Sequence, residues 1–135
     1  MHFAPASLVD YAAMYPAAGN RMWKVARVQI LAGPAWTLWA DGTRQAICGL
    51  YPLRAGVLEA WLMLAEAEKP KAPALRFLLN SAAAVCPESA IICRVSDGNR
   101  AGQRLAALAG FEPTGDMLGA TDRRTWLRPA FFSAP

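Results

Sequence analysis

Apolar residues recur along the chain in two patterns, which predict the order of its helices and strands. Spacings of three and four residues are typical of helices with one buried face, and short unbroken apolar runs are typical of buried strands. Pro and Gly residues separate these segments. The pattern predicts strands at 1–4, 35–40, 45–53, 57–64, 90–95, 111–117 and 124–128, and helices at 8–15, from Asn20 to Gly33, at 73–85 and from Asn99 to 109.

The first two helices carry start signals, and the second has a predicted buried face. Ser7 is a favoured N-cap residue, and Asp10 follows it by three positions, where the reciprocal partner of a capping box stands. Asn20 is the expected cap of the second helix. The side chains expected to form the buried face of that helix are Met22, Val25, Val28, Gln29 and Leu31. The basic residues expected on its other side are Arg21, Lys24 and Arg27.

Three strands joined by short turns, followed by strand-helix-strand units, predict the fold class. Asp41-Gly42 favours a tight hairpin, because both central residues of such a turn need positive φ. The run at 57–64 is almost entirely apolar, as in a central strand that is covered on both faces. The order β-α-α-β-β-β-α-β-α-β-β predicts an α/β (α+β) fold, in which a mixed sheet carries helices on both faces and one domain spans 1–135.

The composition fits a domain whose sheet is covered on both faces. The chain has 135 residues, of which 55% are hydrophobic and 18% are charged, and this content excludes a disordered chain. The longest charge-free stretch, between Arg27 and Asp41, has 13 residues and contains Gly33-Pro34. A membrane span needs about 20 apolar residues, so none is expected. An apolar surface that a partner covers is the alternative use of the apolar residues.

Charged and reactive side chains are few, and they exclude several classes of chemistry. The net charge of +4 comes without a run of basic residues interleaved with aromatic ones, so no nucleic-acid partner is expected. His2 is the sole histidine, which excludes Ser-His-Asp and Cys-His catalysis and histidine-based metal sites. Cys48, Cys86 and Cys93 have no metal or disulfide spacing, and they favour a reducing cytoplasm. No metal site is expected.

One spacing in the second half of the chain resembles a known family. Asn99 follows a predicted strand and starts a helix, and Gly110-Phe111 comes eleven and twelve positions later, where Gly ends the helix and Phe enters the core. Together with the element order and the opening Phe3-Ala4-Pro5-x-x-x-x-Asp10, this spacing is similar to the GNAT fold of acetyl-CoA-dependent N-acetyltransferases, over essentially the whole chain. The resemblance implies a mostly antiparallel central sheet, with acetyl-CoA in the splay between the strands at 57–64 and 90–95.

Within that superfamily, the chain looks most like short acetyltransferase-like proteins of tailed phages, of the internal virion protein A type. The segments that carry this likeness are 41–49, Glu59-Ala60-Trp61 and 110–115. The likeness implies a location in the host cytoplasm or in a virion. It also implies a virion protein as partner, whereas the apolar segment 131–135 is expected to pack on the domain or on a second copy of the chain.

The phosphate-binding loop that the resemblance implies departs from the family pattern. GNAT enzymes hold the cofactor pyrophosphate on backbone N–H groups of an Arg/Gln-x-x-Gly-x-Gly/Ala loop, which counting back from Asn99 places at 67–72. Ala72 fits this pattern, but Pro70 replaces the glycine and has no N–H. Lys69 and Lys71 can attract phosphates, and an ordinary turn is the alternative. The cofactor-binding residues implied are Leu64, Lys69, Lys71, Ala72, Asn99 and Arg104.

Few catalytic side chains of the GNAT pattern have a counterpart in this chain. Many GNAT enzymes have a Tyr general acid seven positions after the Asn, but Ala106 stands there. The resemblance carries a general base to Glu59, a carboxylate on a largely buried strand that can take a proton from an ammonium substrate. The alternative is a Glu that faces solvent or pairs with an Arg. Two functions stay open: acyl transfer to the amine of a small molecule or protein, and a non-catalytic protein of phage assembly that acts through surface contacts.

Overall fold

The helices and strands of the chain follow the predicted order. The computed structural model describes residues 2–65, 76–77, 80–81, 84, 89–117 and 123–128. The helices are α1 (Leu8–Met14), α2 (Asn20–Ala32) and α3 (Arg100–Leu108). The strands are β1 (His2–Pro5), β2 (Ala35–Ala40), β3 (Thr43–Arg54), β4 (Val57–Leu64), β5 (Ala90–Ser96), β6 (Glu112–Met117) and β7 (Arg123–Arg128). The described residues of the predicted 73–85 helix are helical as well.

The strands form a seven-stranded sheet in the order β1-β2-β3-β4-β5-β7-β6. β4 and β5 are parallel, whereas β1–β2, β2–β3, β5–β7 and β6–β7 are antiparallel. The predicted fold class, a mixed and mostly antiparallel sheet, is therefore confirmed, and β4 takes its predicted central place.

The chain divides into two compact units. The N-terminal unit comprises Met1–Tyr51 and Trp61–Lys69, and the C-terminal unit comprises Pro52–Ala60 and Pro70–Pro135. The expectation of one domain for the whole chain stays a prediction.

The β2–β3 hairpin forms as its sequence predicts. Ala40 pairs with Thr43, which leaves Asp41 and Gly42 as the two loop residues. Their φ values are 52° and 72°, and positive φ at both positions is the requirement of a type I′ turn. This turn sets the register as far as Trp39, which lies opposite Arg44. A β-bulge between Leu38 and Trp39 then shifts the pairing by one residue, so that Trp36 lies opposite Cys48.

The core of the N-terminal unit is built around Trp61. Trp61 belongs to a cluster of buried side chains that also contains Tyr11, Ala26, Ile30 and Ile47. The indole lies directly on the backbone of Gly49, where a Cβ would stand 2.4 Å from Trp61 Cζ2. A Cβ at Gly49 would also stand 2.8 Å from the Pro34 carbonyl oxygen, so only glycine allows the indole and this backbone to approach so closely.

The predicted buried face of α2 is wrong. The helix buries Ala26 and Ile30, whereas the larger apolar residues are half exposed or more: Met22 52%, Val25 51%, Val28 51% and Leu31 62%. Each step of three residues falls short of a full helical turn by about 60°, so apolar positions spaced by three drift around the helix and do not share one face. Gly19, and not the expected Asn20, is the N-cap.

α3 begins and ends where Asn99 and Gly110 predict. Asn99 is the N-cap, and its Oδ1 accepts a hydrogen bond from the N–H of Gly102 at 2.9 Å. Gly110 follows the helix with φ at 95°, and Phe111 is then only 3% exposed. The spacing that carried the GNAT resemblance therefore marks a capped helix that leads into the core.

Among the residues that the structure describes, no helix combines the length and the apolar character needed to cross a membrane.

Candidate active site

The pairing of β4 with β5 in the C-terminal unit is short. It starts beside the Gly56 carbonyl, which accepts a hydrogen bond from Ala90 N–H at 2.7 Å. It covers three positions and ends where Glu59 lies opposite Ile92, although both strands continue. Past Ile92, β5 pairs with β7 on its other edge. The backbone groups on the β4 side of β5 are then without a strand partner among the described residues, and they can pair with an extended ligand.

Glu59 lies at the end of this pairing and is ion-paired with Arg94. Glu59 Oε2 is 3.4 Å from Arg94 Nη1, and the two side chains are 19% and 21% exposed. The register explains the contact: Arg94 is two residues beyond Ile92, so its side chain projects from the same face as that of Glu59. The alternative in which Glu59 pairs with an arginine is the one present, and its role as general base stays a prediction.

Arg94 brings an unused hydrogen-bond donor to this place. Its Nε is buried and has no hydrogen-bond partner among the described residues. A buried donor without a partner costs about 1–3 kcal/mol, and more on a charged group. Arg94 therefore has the capacity to bind an acceptor oxygen of a ligand. A charged residue within an apolar strand needs a partner, and this pattern is the sequence signal for Arg94. The sequence prediction does not include it.

Cys93 is the neighbouring residue of β5, and its surroundings favour the protonated thiol. Burial, followed by the negative charge of Glu59, raises the pKa of the Cys93 thiol to about 12. Burial alone raises the pKa of the Cys48 thiol to about 12. Thiols with such pKa values stay protonated near neutral pH, whereas the thiolate is the reactive form. Cys86 lies outside the described residues.

The residues of α3 divide into structural and exposed ones. The side-chain oxygen of Asn99 is used in capping the helix, and Ala106 is 3% exposed and has no proton to donate. Arg100 and Arg104 lie one helical turn apart, and both are exposed. Their charges can attract an anion, as the sequence predicted for Arg104.

The predicted cofactor loop cannot be compared with the described structure. Lys69, Lys71, Ala72 and the segment 67–72 lie outside the described residues. Leu64, the last residue of β4, is described, and its carbonyl oxygen accepts a hydrogen bond from the Tyr15 hydroxyl. The cofactor roles of these residues stay predictions.

A groove in the N-terminal unit was not predicted. It has a volume of about 460 Å³ and is lined by Tyr11, Tyr15, Arg21, Met22, Val25 and residues 62–64. The spacing of Tyr11 and Tyr15 places them on one side of α1, but the groove also depends on which face α2 presents. The sequence prediction buried Met22 and Val25, so it missed the groove.

Asp10 is the most strongly held carboxylate in the described structure. It accepts hydrogen bonds from Ser7 N–H at 3.0 Å, Thr37 Oγ1 at 2.8 Å and Arg44 Nε at 2.7 Å. Burial by itself raises the pKa of Asp10, but the hydrogen bonds from Arg44, Thr37 and Ser7 together hold it below 3.8. Because its oxygens are used within the unit, Asp10 joins α1 to β2 and β3. The predicted capping pair of Ser7 and Asp10 is confirmed.

In the described part of the chain, no group of three His, Cys, Asp or Glu side chains is arranged to hold a metal ion.

The fold is identified by comparison with known proteins. No protein-family model matches the chain, and no curated protein matches its sequence. Among solved structures, a protein from Bordetella pertussis described as a GnaT-family acetyltransferase is 19% identical, with a TM-score of 0.71 over 93% of this chain and 92% of that chain. The chain has the GNAT acetyltransferase fold.

Two other structures with the GNAT fold are similar to this chain. A point mutant of the spermidine N-acetyltransferase SpeG from Vibrio cholerae is 12% identical, with a TM-score of 0.74 over 98% of this chain and 96% of that chain. The aminoglycoside acetyltransferase AAC(6')-Ib, in complex with coenzyme A and kanamycin, is 16% identical, with a TM-score of 0.67 over 93% and 91%. The predicted GNAT fold is thus confirmed over nearly the whole chain.

Proposed function

We propose that this chain is an acyl-CoA-dependent N-acyltransferase that transfers an acetyl group from acetyl-CoA to an amine. The observation that carries the proposal is the end of the β4–β5 pairing, with the Glu59–Arg94 ion pair beside it, in a chain of the GNAT fold. The three structures compared above are of acetyltransferases by their descriptions, and one of them contains coenzyme A.

The described residues fit a coenzyme A thioester at this place. The Nε of Arg94 is a buried donor that lacks an acceptor, and the thioester and the amides of the cofactor offer acceptor oxygens. Arg104, on the exposed side of α3, would bind a phosphate group by charge, and Asn99 would hold the start of that helix. Lys69, Lys71, Ala72 and Leu64 complete the set that the sequence predicts. Acetyl-CoA supplies, when bound, an acetyl group activated as a thioester.

Glu59 is the proposed proton acceptor. The amine nitrogen must lose a proton as the amide bond forms and the C–S bond breaks, and a Glu59 carboxylate oxygen, or a water molecule, takes it. Arg94 keeps the carboxylate oriented by the contact at 3.4 Å. Ala106 has no proton for the departing thiolate, so that proton comes from water. Direct attack by the amine is favoured, because burial raises the pKa of the Cys93 thiol and the protonated thiol is the less reactive form.

The test is a titration of the full chain with acetyl-CoA, followed by thermal unfolding and by calorimetry. At about 100 times Kd, the ligand should add about 2.7 kcal/mol to the free energy of unfolding. A transition that does not move at millimolar acetyl-CoA would contradict the proposal. Coenzyme A without the acetyl group is the control that shows whether the acetyl group contributes to binding.

A second candidate is a non-catalytic protein that works through surface contacts. The exposed apolar residues of α2, such as Val28 and Leu31, and the lack of a general acid at Ala106 favour it. The resemblance to phage proteins would place such a protein in a virion or in its assembly, with a virion protein or a second copy as partner. Retained stability and absence of acetyl-CoA binding in the titration above would select this candidate.

A further inference from the structure

The groove of the N-terminal unit has the size of a small-molecule site. Its volume of about 460 Å³ falls within the range of ligand pockets, which is about 300–1,000 Å³. α1 and its C-cap residue provide Tyr11 and Tyr15, α2 provides Met22 and Val25, and the end of β4 provides residues 62–64. The wall is therefore aromatic and aliphatic, and it suits an apolar body.

The charge on the described wall of the groove is positive. Arg21 is the single charged residue among the described residues that line it, and no carboxylate is present there. A ligand with several ammonium groups would have to leave water for a wall that offers a positive charge and no anionic partner. A carboxylate on the ligand, in contrast, would find a guanidinium at the wall.

A polar group without a partner lies in the same wall. Tyr11 is 1% exposed, and its hydroxyl has no hydrogen-bond partner among the described residues. A polar atom of a ligand that reaches this hydroxyl would satisfy a group that is otherwise left unpaired. The Tyr15 hydroxyl is already used, since it donates to the Leu64 carbonyl oxygen. Tyr11 thus gives an observation independent of charge that points to a ligand.

We propose that this groove binds a small molecule that combines an apolar body with a carboxylate, such as a hydrophobic amino acid, and that it disfavours polyamines. This site lies within the N-terminal unit alone and does not depend on the proposed acyl transfer. Arg21 binds the carboxylate, Met22 and Val25 contact the apolar body, and Tyr11 offers its hydroxyl to a polar group. This preference differs from those in the descriptions of the structures compared above, which name spermidine and aminoglycosides.

Binding of three probes to the full chain tests the inference, by calorimetry with and without coenzyme A. The probes are L-phenylalanine, phenethylamine, which lacks only the carboxylate, and spermidine. We expect phenylalanine to bind about tenfold more tightly than phenethylamine, and spermidine not to bind. Equal affinity for phenylalanine and phenethylamine, or tighter binding of spermidine, would overturn the inference. So would a lack of binding by all three probes under both conditions.

Matched variants on α2 locate the site. Val25→Glu places a carboxylate in the groove and should weaken phenylalanine binding about tenfold while admitting spermidine. Val28→Glu is the control, because Val28 is equally exposed, at 51%, and does not line the groove. Arg21→Ala should remove the preference for phenylalanine over phenethylamine, and Lys24→Ala should retain it. Equal effects of Val25→Glu and Val28→Glu would place the ligand elsewhere and overturn the inference.

Two further measurements separate the remaining outcomes. Tyr11→Phe should lower phenylalanine affinity without lowering the free energy of unfolding, which a merely structural role would not produce. Size-exclusion chromatography tests a second copy as the occupant, and a dimer that Val25→Glu dissociates would overturn the inference. Failure of acetyl-CoA to bind, with the phenylalanine preference intact, would reject the acyl transfer and leave an amino acid binding site in the groove.

Discussion

Glu59 Oε2 lies 3.4 Å from Arg94 Nη1, across two parallel strands at the point where their pairing ends. Both side chains are about four-fifths buried, so each charge depends on the other more than it would at the surface. The contact therefore holds the carboxylate in a fixed orientation, while the Nε of the same arginine has no hydrogen-bond partner among the described residues. One ion pair thus brings a carboxylate and an unused hydrogen-bond donor to the candidate site.

Glu59→Gln should lower turnover with acetyl-CoA and an amine by about 100-fold or more, because an amide cannot accept the proton of the ammonium group. Binding of acetyl-CoA, measured by calorimetry, should persist. Glu112→Gln is the control, since Glu112 is an exposed carboxylate of the same unit. Turnover that stays at the wild-type level would clear Glu59 of the role and assign the proton to water.

Arg104→Ala should weaken coenzyme A binding about threefold to fivefold, as expected for an exposed charge pair. If Arg104 contacts the 3′-phosphate, the affinity for dephospho-coenzyme A should not change, and calorimetry with both ligands measures the difference. Arg27→Ala removes another exposed charge, from α2, and is the control. An equal loss of affinity for both ligands would show that Arg104 does not bind that phosphate.

Replacement of Asp10 should reveal a pH-dependent part of the stability. The folded chain holds the pKa of Asp10 below 3.8, so its contribution is fully present above that value and is lost as the pH falls through the folded pKa. At pH 7, Asp10→Asn should lower the free energy of unfolding by about 1–3 kcal/mol, and the difference from wild type should shrink below pH 4. Denaturant unfolding at several pH values measures it.

The control for this pH dependence is Asp41→Asn in the β2–β3 turn. Asn tolerates the positive φ of that position, and the residue is exposed, so stability should change little. A destabilisation by Asp10→Asn that is as large at pH 3 as at pH 7 would show that shape, and not charge, is what Asp10 contributes.

Gly49→Ala should destabilise the N-terminal unit, because the added methyl would stand 2.4 Å from Trp61 Cζ2 and 2.8 Å from the Pro34 carbonyl oxygen. The expected loss is about 1–3 kcal/mol, which is typical of an overfilled core. Gly98→Ala is the control, because an added Cβ there meets no atom within 4 Å. Equal thermal midpoints of the two variants would contradict the close contact.

Cys48 and Cys93 should react slowly with a thiol reagent. With pKa values raised to about 12, only about one thiol in ten thousand is ionised at pH 8. In a Cys86→Ala background, labelling of the native chain should be slow and should become fast in denaturant. Labelling of the native chain at the rate of a free thiol would contradict their burial, and loss of turnover in Cys93→Ala would reopen an acyl-enzyme route.

Local signals of the sequence predicted most of the fold. Asp41-Gly42 required one turn type, and Asn99 with Gly110 set both ends of a helix, because each of these signals depends on a few neighbouring residues. The buried face of α2 was not predictable in this way. Met22 and Val28 are as apolar as Ile30, and only the packing of the sheet decides which of them it buries. Local pattern therefore sets where an element lies, but not how it rotates.

The residues of the candidate site show the same difference between local signals and contacts that are distant in sequence. The GNAT resemblance assigns predicted roles to the single positions Glu59, Asn99 and Arg104. Arg94, in contrast, has its partner on another strand, and the Tyr11 hydroxyl has no partner among the described residues. The Glu59–Arg94 pair depends on the register of two strands, and the groove depends on α1, α2 and β4 together. Neither arrangement is encoded in one segment, so a reading of consecutive residues could not supply it.

The short β4–β5 pairing also has a consequence for the kinetics of folding. Val57 and Ala90 are paired although they are 33 positions apart in sequence. Closing the loop between them costs conformational entropy, and only three register positions of the β4–β5 pairing offset that cost. Contacts of this kind are expected to form after the local hairpins, because proteins whose contacts are more distant in sequence fold more slowly. The region proposed to bind acetyl-CoA is therefore expected to be among the last parts of the chain to assemble.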